Sequence, residues 1–152
     1  MLTADEVLAL IPQQRPFRFI DRLLALDEAK AVGEYTFRAD ESFYAGHFPG
    51  DPVTPGVILI ETMCQTGLVA LGIYLLGLEQ PREEVAKTVT LFTDAAVEFE
   101  RVVLPGQTVR VDAERVFWRR RKLKSNVTLS LADGTTVARG TVSGMGVRRA
   151  ER

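Results

Sequence analysis

The chain has 152 residues, 46% hydrophobic and 26% charged, which is enough for one substantial core and short for two. Its net charge of -1 conceals an asymmetry, because residues 1–100 hold 7 Lys/Arg against 16 Asp/Glu and residues 101–152 hold 12 against 4. One cysteine, Cys64, excludes an internal disulfide and a cysteine-rich metal site, and the opening Met1-Leu2-Thr3-Ala4-Asp5-Glu6 lacks the basic start and apolar run of a secretory signal, so one cytoplasmic domain over 1–152 is expected.

Thr3 and Glu6 stand at capping-box spacing before Val7, Leu8 and Leu10, which predicts a short N-terminal helix that Pro12 and Pro16 limit. Phe17 and Phe19 alternate with Arg18 and suit an extended segment fastened to a core. Residues 31–37 are strand-like through aromatic and β-branched content, although Gly33 weakens the pattern.

From Val57 to Leu76 the chain is almost wholly apolar and has helical length. Glu61, Thr62, Gln65 and Thr66 in its first half, with Gly67 and Gly72, argue against a membrane span and for a core helix wrapped by a sheet. Pro55 and Gly56 fit the start of that helix, where amide donors stay free.

The period then changes. Val89-Leu91, Val97-Phe99, Val109-Val111-Ala113, Val127-Leu129-Leu131 and Val137 support alternating strands, with turns at Pro105-Gly106 and Asp133-Gly134. One long helix followed by antiparallel strands is an α+β plan, and Gly-x-Gly-x-x-Gly and phosphate-binding lysine motifs are both missing.

The chemistry concentrates in Gly46-His47-Phe48-Pro49-Gly50-Asp51-Pro52-Val53-Thr54-Pro55-Gly56, which runs into the helix carrying Glu61 and Gln65. His47, the sole histidine, is the natural group for reversible proton transfer, and Glu61 can supply the second. Fourteen positions separate them, too far for one helical face, which leaves a loop folded over the helix or a contact between subunits. The structural alternatives are a histidine satisfied in place and a buried or capping glutamate. Gln65, one turn after Glu61, either orients that carboxylate or is a core amide bonded to backbone.

Arg119-Arg120-Arg121-Lys122 is either a steering patch for an acidic partner or a solvated edge strand, and no nucleic-acid motif accompanies it. Trp118 beside it anchors an edge strand or an interface, Tyr74 is a core residue, and Cys64 reads as a buried small side chain.

These residues resemble the hot-dog-fold beta-hydroxyacyl-[acyl-carrier-protein] dehydratases of fatty-acid synthesis, of the dehydratase-only type. The likeness centres on Gly46-His47-Phe48-Pro49-Gly50-x-Pro52-Val53-x-Pro55-Gly56-Val57 with Glu61 and Gln65, and is flanked by Pro16-Phe17-x-Phe19-x-Asp21-Arg22 and Val103-Leu104-Pro105-Gly106. It departs at Thr93 and Ala95, where the family commonly has a Gly-x-Asp pattern, and at Gln107.

The resemblance implies a hot-dog fold, a long central helix wrapped by a curved antiparallel sheet, paired as a homodimer or a higher oligomer. His47 of one subunit would face Glu61 of the other and draw the C2 proton of a 3-hydroxyacyl thioester. Glu61, held protonated, would protonate the departing oxygen, and backbone amides of Gly56 or Val57 would polarise the carbonyl. Phe92 would line or gate the substrate tunnel. The substrate would arrive as a phosphopantetheine thioester on an acidic acyl-carrier protein docked at Arg119, Arg120, Arg121 and Lys122. Neither cofactor nor metal would be needed, and no nucleic acid or membrane insertion is expected. The alternatives are a hot-dog acyl thioesterase and a catalytically silent carrier-binding dimer partner.

Overall fold

The computed structural model describes residues 1–150. A short helix, Ala4–Leu10, opens the chain. Its capping box is closed on both sides: the Glu6 amide donates to Thr3 Oγ1 at 3.2 Å and the Thr3 amide to Glu6 Oε2 at 2.8 Å. Six strands follow: β1 (Arg22–Leu26), β2 (Lys30–Thr36), β3 (Thr88–Phe99), β4 (Thr108–Arg119), β5 (Lys122–Leu131) and β6 (Thr136–Arg148). All pair antiparallel in one sheet of order β1-β2-β4-β5-β6-β3.

A continuous helix, Gly56–Glu79, lies against this sheet. Its length and hydropathy would suit a membrane, but 67% of its most apolar window is buried within the protein. The sheet turns alternate residues towards it: Val109, Val111 and Ala113 from β4, and Leu123, Ser125, Val127 and Leu129 from β5, are all buried. Approach is closest at small residues. A Cβ on Gly67 would stand 2.8 Å from a Val127 methyl, and one on Gly33 of β2 would collide with the Thr66 hydroxyl.

The helix widens to π geometry over Gln65–Ala70. Buried Ser125 Oγ donates to the Gly67 carbonyl there at 2.7 Å, a side chain inserting into the helical bonding ladder.

The expected elements are present with four differences. Arg22–Leu26, which carried no strand signal, is the outer strand β1. Val89-Leu91 and Val97-Phe99 belong to one strand, β3, whose register shifts between Phe92 and Asp94. The second half of the central helix reaches Glu79, beyond the predicted Leu76. The basic run is the tip of the β4–β5 hairpin, with Arg120 and Arg121 both at positive φ, and not an edge strand. Trp118 correspondingly fastens that hairpin to the end of the central helix, its Nε1 donating to Glu79 Oε1 at 2.7 Å.

Candidate active site

The His47 loop is fixed by its own backbone. The Phe48 amide donates to the Asp51 carbonyl at 3.1 Å and the Asp51 amide returns to Phe48 at 2.9 Å, a tight turn that Gly50 closes at φ 75°. The Val53 amide donates to the His47 carbonyl at 2.9 Å, and Tyr44 and Thr54 share a buried hydroxyl bond of 2.6 Å. The His47 ring stacks on Phe48 at 4.1 Å between centroids, and its Nδ1 lies 2.8 Å from the Val53 carbonyl. A carbonyl only accepts, so Nδ1 carries the hydrogen and Nε2 is left as the basic nitrogen.

The loop delivers the chain to the helix at Gly56. Pro55 supplies the first carbonyl, accepting from Ile58 and Leu59 at 3.0 and 3.1 Å. Gly56 and Val57, the first two helical residues, have amides with no intrahelical acceptor, at the positive end of the helix dipole.

Glu61 stands little more than a turn further on. Gln65 Nε2 donates to Glu61 Oε1 at 2.9 Å and to the Phe17 carbonyl at 2.9 Å, while Gln65 Oε1 accepts the Phe19 amide at 2.6 Å. Gln65 is therefore a buried amide tied both to backbone and to the Glu61 carboxyl. Phe19 is fixed in turn by an aromatic cluster, with Tyr35 at 5.6 Å and Phe37 at 6.2 Å between ring centroids. Burial pushes the Glu61 carboxyl above its ordinary pKa, and the Gln65 bond opposes this.

Glu61 opens into a pocket lined also by Gln13, Cys64, Leu68, Val69, Thr90 and Phe92. Phe92 thus lines the same pocket as Glu61. Cys64 is buried and its thiol is pushed up by that burial and by Glu61. Gln13 was not singled out from the sequence, although two adjacent amides, Gln13-Gln14, between Pro12 and the Phe17-Phe19 segment were a visible polar signal; among the described residues its Oε1 is the buried side-chain oxygen without a partner.

Within one chain His47, Gly56 and Val57 do not line that pocket. The basic run also divides: Arg119, Arg120 and Lys122 share a surface hollow with Phe117 and Met145, whereas Arg121 turns to the opposite side, towards Leu76 and Leu123. The four basic residues therefore do not share one hollow.

Residues 11–141 match the FabA-like domain family. Proteins named 3-hydroxyacyl-[acyl-carrier-protein] dehydratase FabZ resemble the chain along nearly its whole length: that of Chloroflexus aggregans is 38% identical over 88% of both chains, and that of Herpetosiphon aurantiacus is 38% identical over 92% of this chain and 94% of its own. Among solved structures, a dehydratase heterocomplex from Xenorhabdus doucetiae superposes with a TM-score of 0.77 over 97% of this chain and 93% of its own, and a mutant thioesterase from Pseudomonas aeruginosa with 0.66 over 97% and 96%. Both are 13% identical, so they speak to the fold alone. Fold, motif order and full-length similarity agree, and the chain belongs to the FabA-like hot-dog dehydratase family.

Proposed function

We propose that the chain is a 3-hydroxyacyl-[acyl-carrier-protein] dehydratase, working in the cytoplasm in fatty-acid or related lipid or polyketide synthesis. The observation that carries this is Glu61: a half-buried carboxyl, shifted towards its acid form and bonded by Gln65, in a pocket that Leu68, Val69 and Phe92 line beside Gln13 and Thr90.

Dehydration requires loss of the C2 proton and protonation of the oxygen leaving C3. His47 Nε2 takes the first proton and Glu61 supplies the second. The C2–H electron pair becomes the new double bond as the C3–O bond breaks, and water departs, leaving the trans-2-enoyl thioester. Negative charge that gathers on the thioester carbonyl meets the free amides of Gly56 and Val57. One base, one acid and oriented amides complete the chemistry without a metal or cofactor. The phosphopantetheine arm belongs to the substrate.

The two proton-transfer groups meet across a homodimer. β3 is a terminal strand of 12 residues, paired only with β6, and it exposes Leu91, Phe92 and Phe99, with Val57, Val102 and Leu104 also exposed. A long open edge with apolar side chains is a template for a second copy. Such pairing brings His47 of one chain to Glu61 of the other. The carrier protein, acidic and bearing the thioester, docks on Arg119, Arg120 and Lys122.

Mass analysis of a carrier-bound 3-hydroxyacyl thioester incubated with the protein tests the activity. Loss of one water is expected, slowed at least a hundredfold by His47→Ala or Glu61→Gln. Thioester hydrolysis, or variants as fast as wild type, would refute it. Reversing Arg119 and Arg120 to Glu should weaken turnover of the carrier-bound substrate more than that of a pantetheine thioester.

A further inference from the structure

Tyr44 holds the His47 loop from both ends. Its carbonyl accepts the His47 amide at 3.4 Å, and its hydroxyl meets Thr54 Oγ1 at 2.6 Å where the loop returns. Both side chains are buried. The Tyr44 ring is fixed in turn by Phe43 at 4.7 Å between centroids, and Phe43 packs on Phe37 and Phe19 in the aromatic cluster. Burial pushes the Tyr44 hydroxyl above its ordinary pKa, so the bond joins two neutral hydroxyls.

This bond bears on the histidine through the peptide unit between Val53 and Thr54. The carbonyl of that unit accepts from His47 Nδ1 at 2.8 Å, and its N–H donates to the carbonyl of buried Val103 at 2.9 Å. A peptide unit is planar, and two bonds on its opposite edges leave it free to rock about the line that joins them. The Thr54 side chain, tied to Tyr44, is a third anchor off that line and stops the rocking. The direction of the Val53 carbonyl, and with it the nitrogen of His47 that carries the hydrogen, is thereby set from the core.

We propose that Thr54 and Tyr44 are positioning residues for the base: their hydroxyl bond holds the Val53 carbonyl where it keeps the hydrogen of His47 on Nδ1 and leaves Nε2 bare and fixed in direction. This rests on the dehydratase reading and adds to it two residues that act only through His47. A bond that served stability alone would affect the rate only as far as it affected the fold. A positioning bond changes the ring and the rate even where the fold is intact.

The test compares wild type with Thr54→Ser, Thr54→Val, Tyr44→Phe and the double variant Tyr44→Phe/Thr54→Val. Thr54→Val and Tyr44→Phe each strand a buried hydroxyl, whereas the double variant removes both partners and should melt close to wild type. Both single changes and the double variant should lose roughly tenfold in kcat on a carrier-bound 3-hydroxyacyl thioester, with KM little changed. Thr54→Ser, which keeps the hydroxyl, should keep the rate. His47 is the sole histidine, so imidazole nitrogen NMR reports a single ring. In mildly alkaline solution the wild-type ring should show Nδ1 protonated and Nε2 bare, and the double variant should mix in the opposite tautomer. A double variant that keeps the wild-type tautomer, or that is as fast as wild type, overturns the proposal. A wild type inert towards the thioester, in which the double variant still changes the tautomer, would sink the dehydratase reading and leave the positioning of the ring standing.

Discussion

Glu61 holds its proton to higher pH in the folded chain than in the unfolded one, because burial penalises the carboxylate. Below the ordinary glutamate pKa, about 4.3, it is neutral in both states and costs nothing; as pH rises through that value the unfolded chain ionises first, and stability falls until the raised folded pKa is passed. Glu61→Gln should therefore raise the melting temperature at neutral pH, with the gain shrinking towards about pH 4. A gain equal at both ends would show that the carboxyl is not strained by ionisation. Gln65→Met removes the bonds to Phe17, Phe19 and Glu61 and leaves the Phe19 amide buried without a partner. It should cost about 2–4 kcal/mol in denaturant unfolding. Since the Gln65 bond pulls the Glu61 pKa down, its loss should also move the alkaline fall of dehydratase activity to higher pH; a loss of stability with an unmoved profile would reduce Gln65 to a structural role. Helical spacing made the Gln65–Glu61 contact legible from the sequence. The contact with Phe17 and Phe19 was not, because only the tertiary fold carries those residues to the helix.

Elements whose pattern is local were read from the chain almost as they stand. Thr3 and Glu6 cap the first helix, Gly134 closes the last hairpin at φ 88°, and the apolar run from Val57 is the core helix. β1 was missed because Arg-Leu-Leu-Ala-Leu consists of good helix formers, and pairing with β2 overrides that preference. β3 was split in two because the bulge at Phe92 to Asp94 interrupts its alternation. The π stretch left no trace in a helix apolar on nearly every face. Gly33, which weakens the β2 pattern, is explained by that stretch: it lets Thr66 lie directly on the strand. Gly33→Ala should destabilise the protein by about 2 kcal/mol or more through overpacking. Thr66→Ala in the same chain should recover a substantial part, since it removes the hydroxyl and methyl that the new Cβ meets. Strictly additive losses in the double variant would place the strain elsewhere.

At the level of the whole molecule, the acidic and basic parts of the sequence are stitched together only sparsely. Arg139 reaches Glu100 at 2.9 Å and Arg148 reaches Glu84 at 3.6 Å, while the hairpin tip keeps its positive charge facing outwards at Arg119, Arg120 and Lys122. What composition could not disclose is that a single chain holds the proposed base and acid at different places, His47 in the loop before the helix and Glu61 in its own pocket. The fold leaves β3 open, and in the proposed dimer a two-fold pairing there would supply each pocket with the other chain's histidine. Chain mixing tests this most directly. His47→Ala and Glu61→Gln, each nearly inactive alone, are unfolded together, refolded and assayed, with hybrid formation checked by native mass spectrometry. Random pairing makes half the dimers hybrids, each with one wild-type site and one doubly altered site, so about a quarter of wild-type dehydratase activity should return. Hybrids that form in that proportion and remain as inactive as their parents would show that the two groups do not act across subunits.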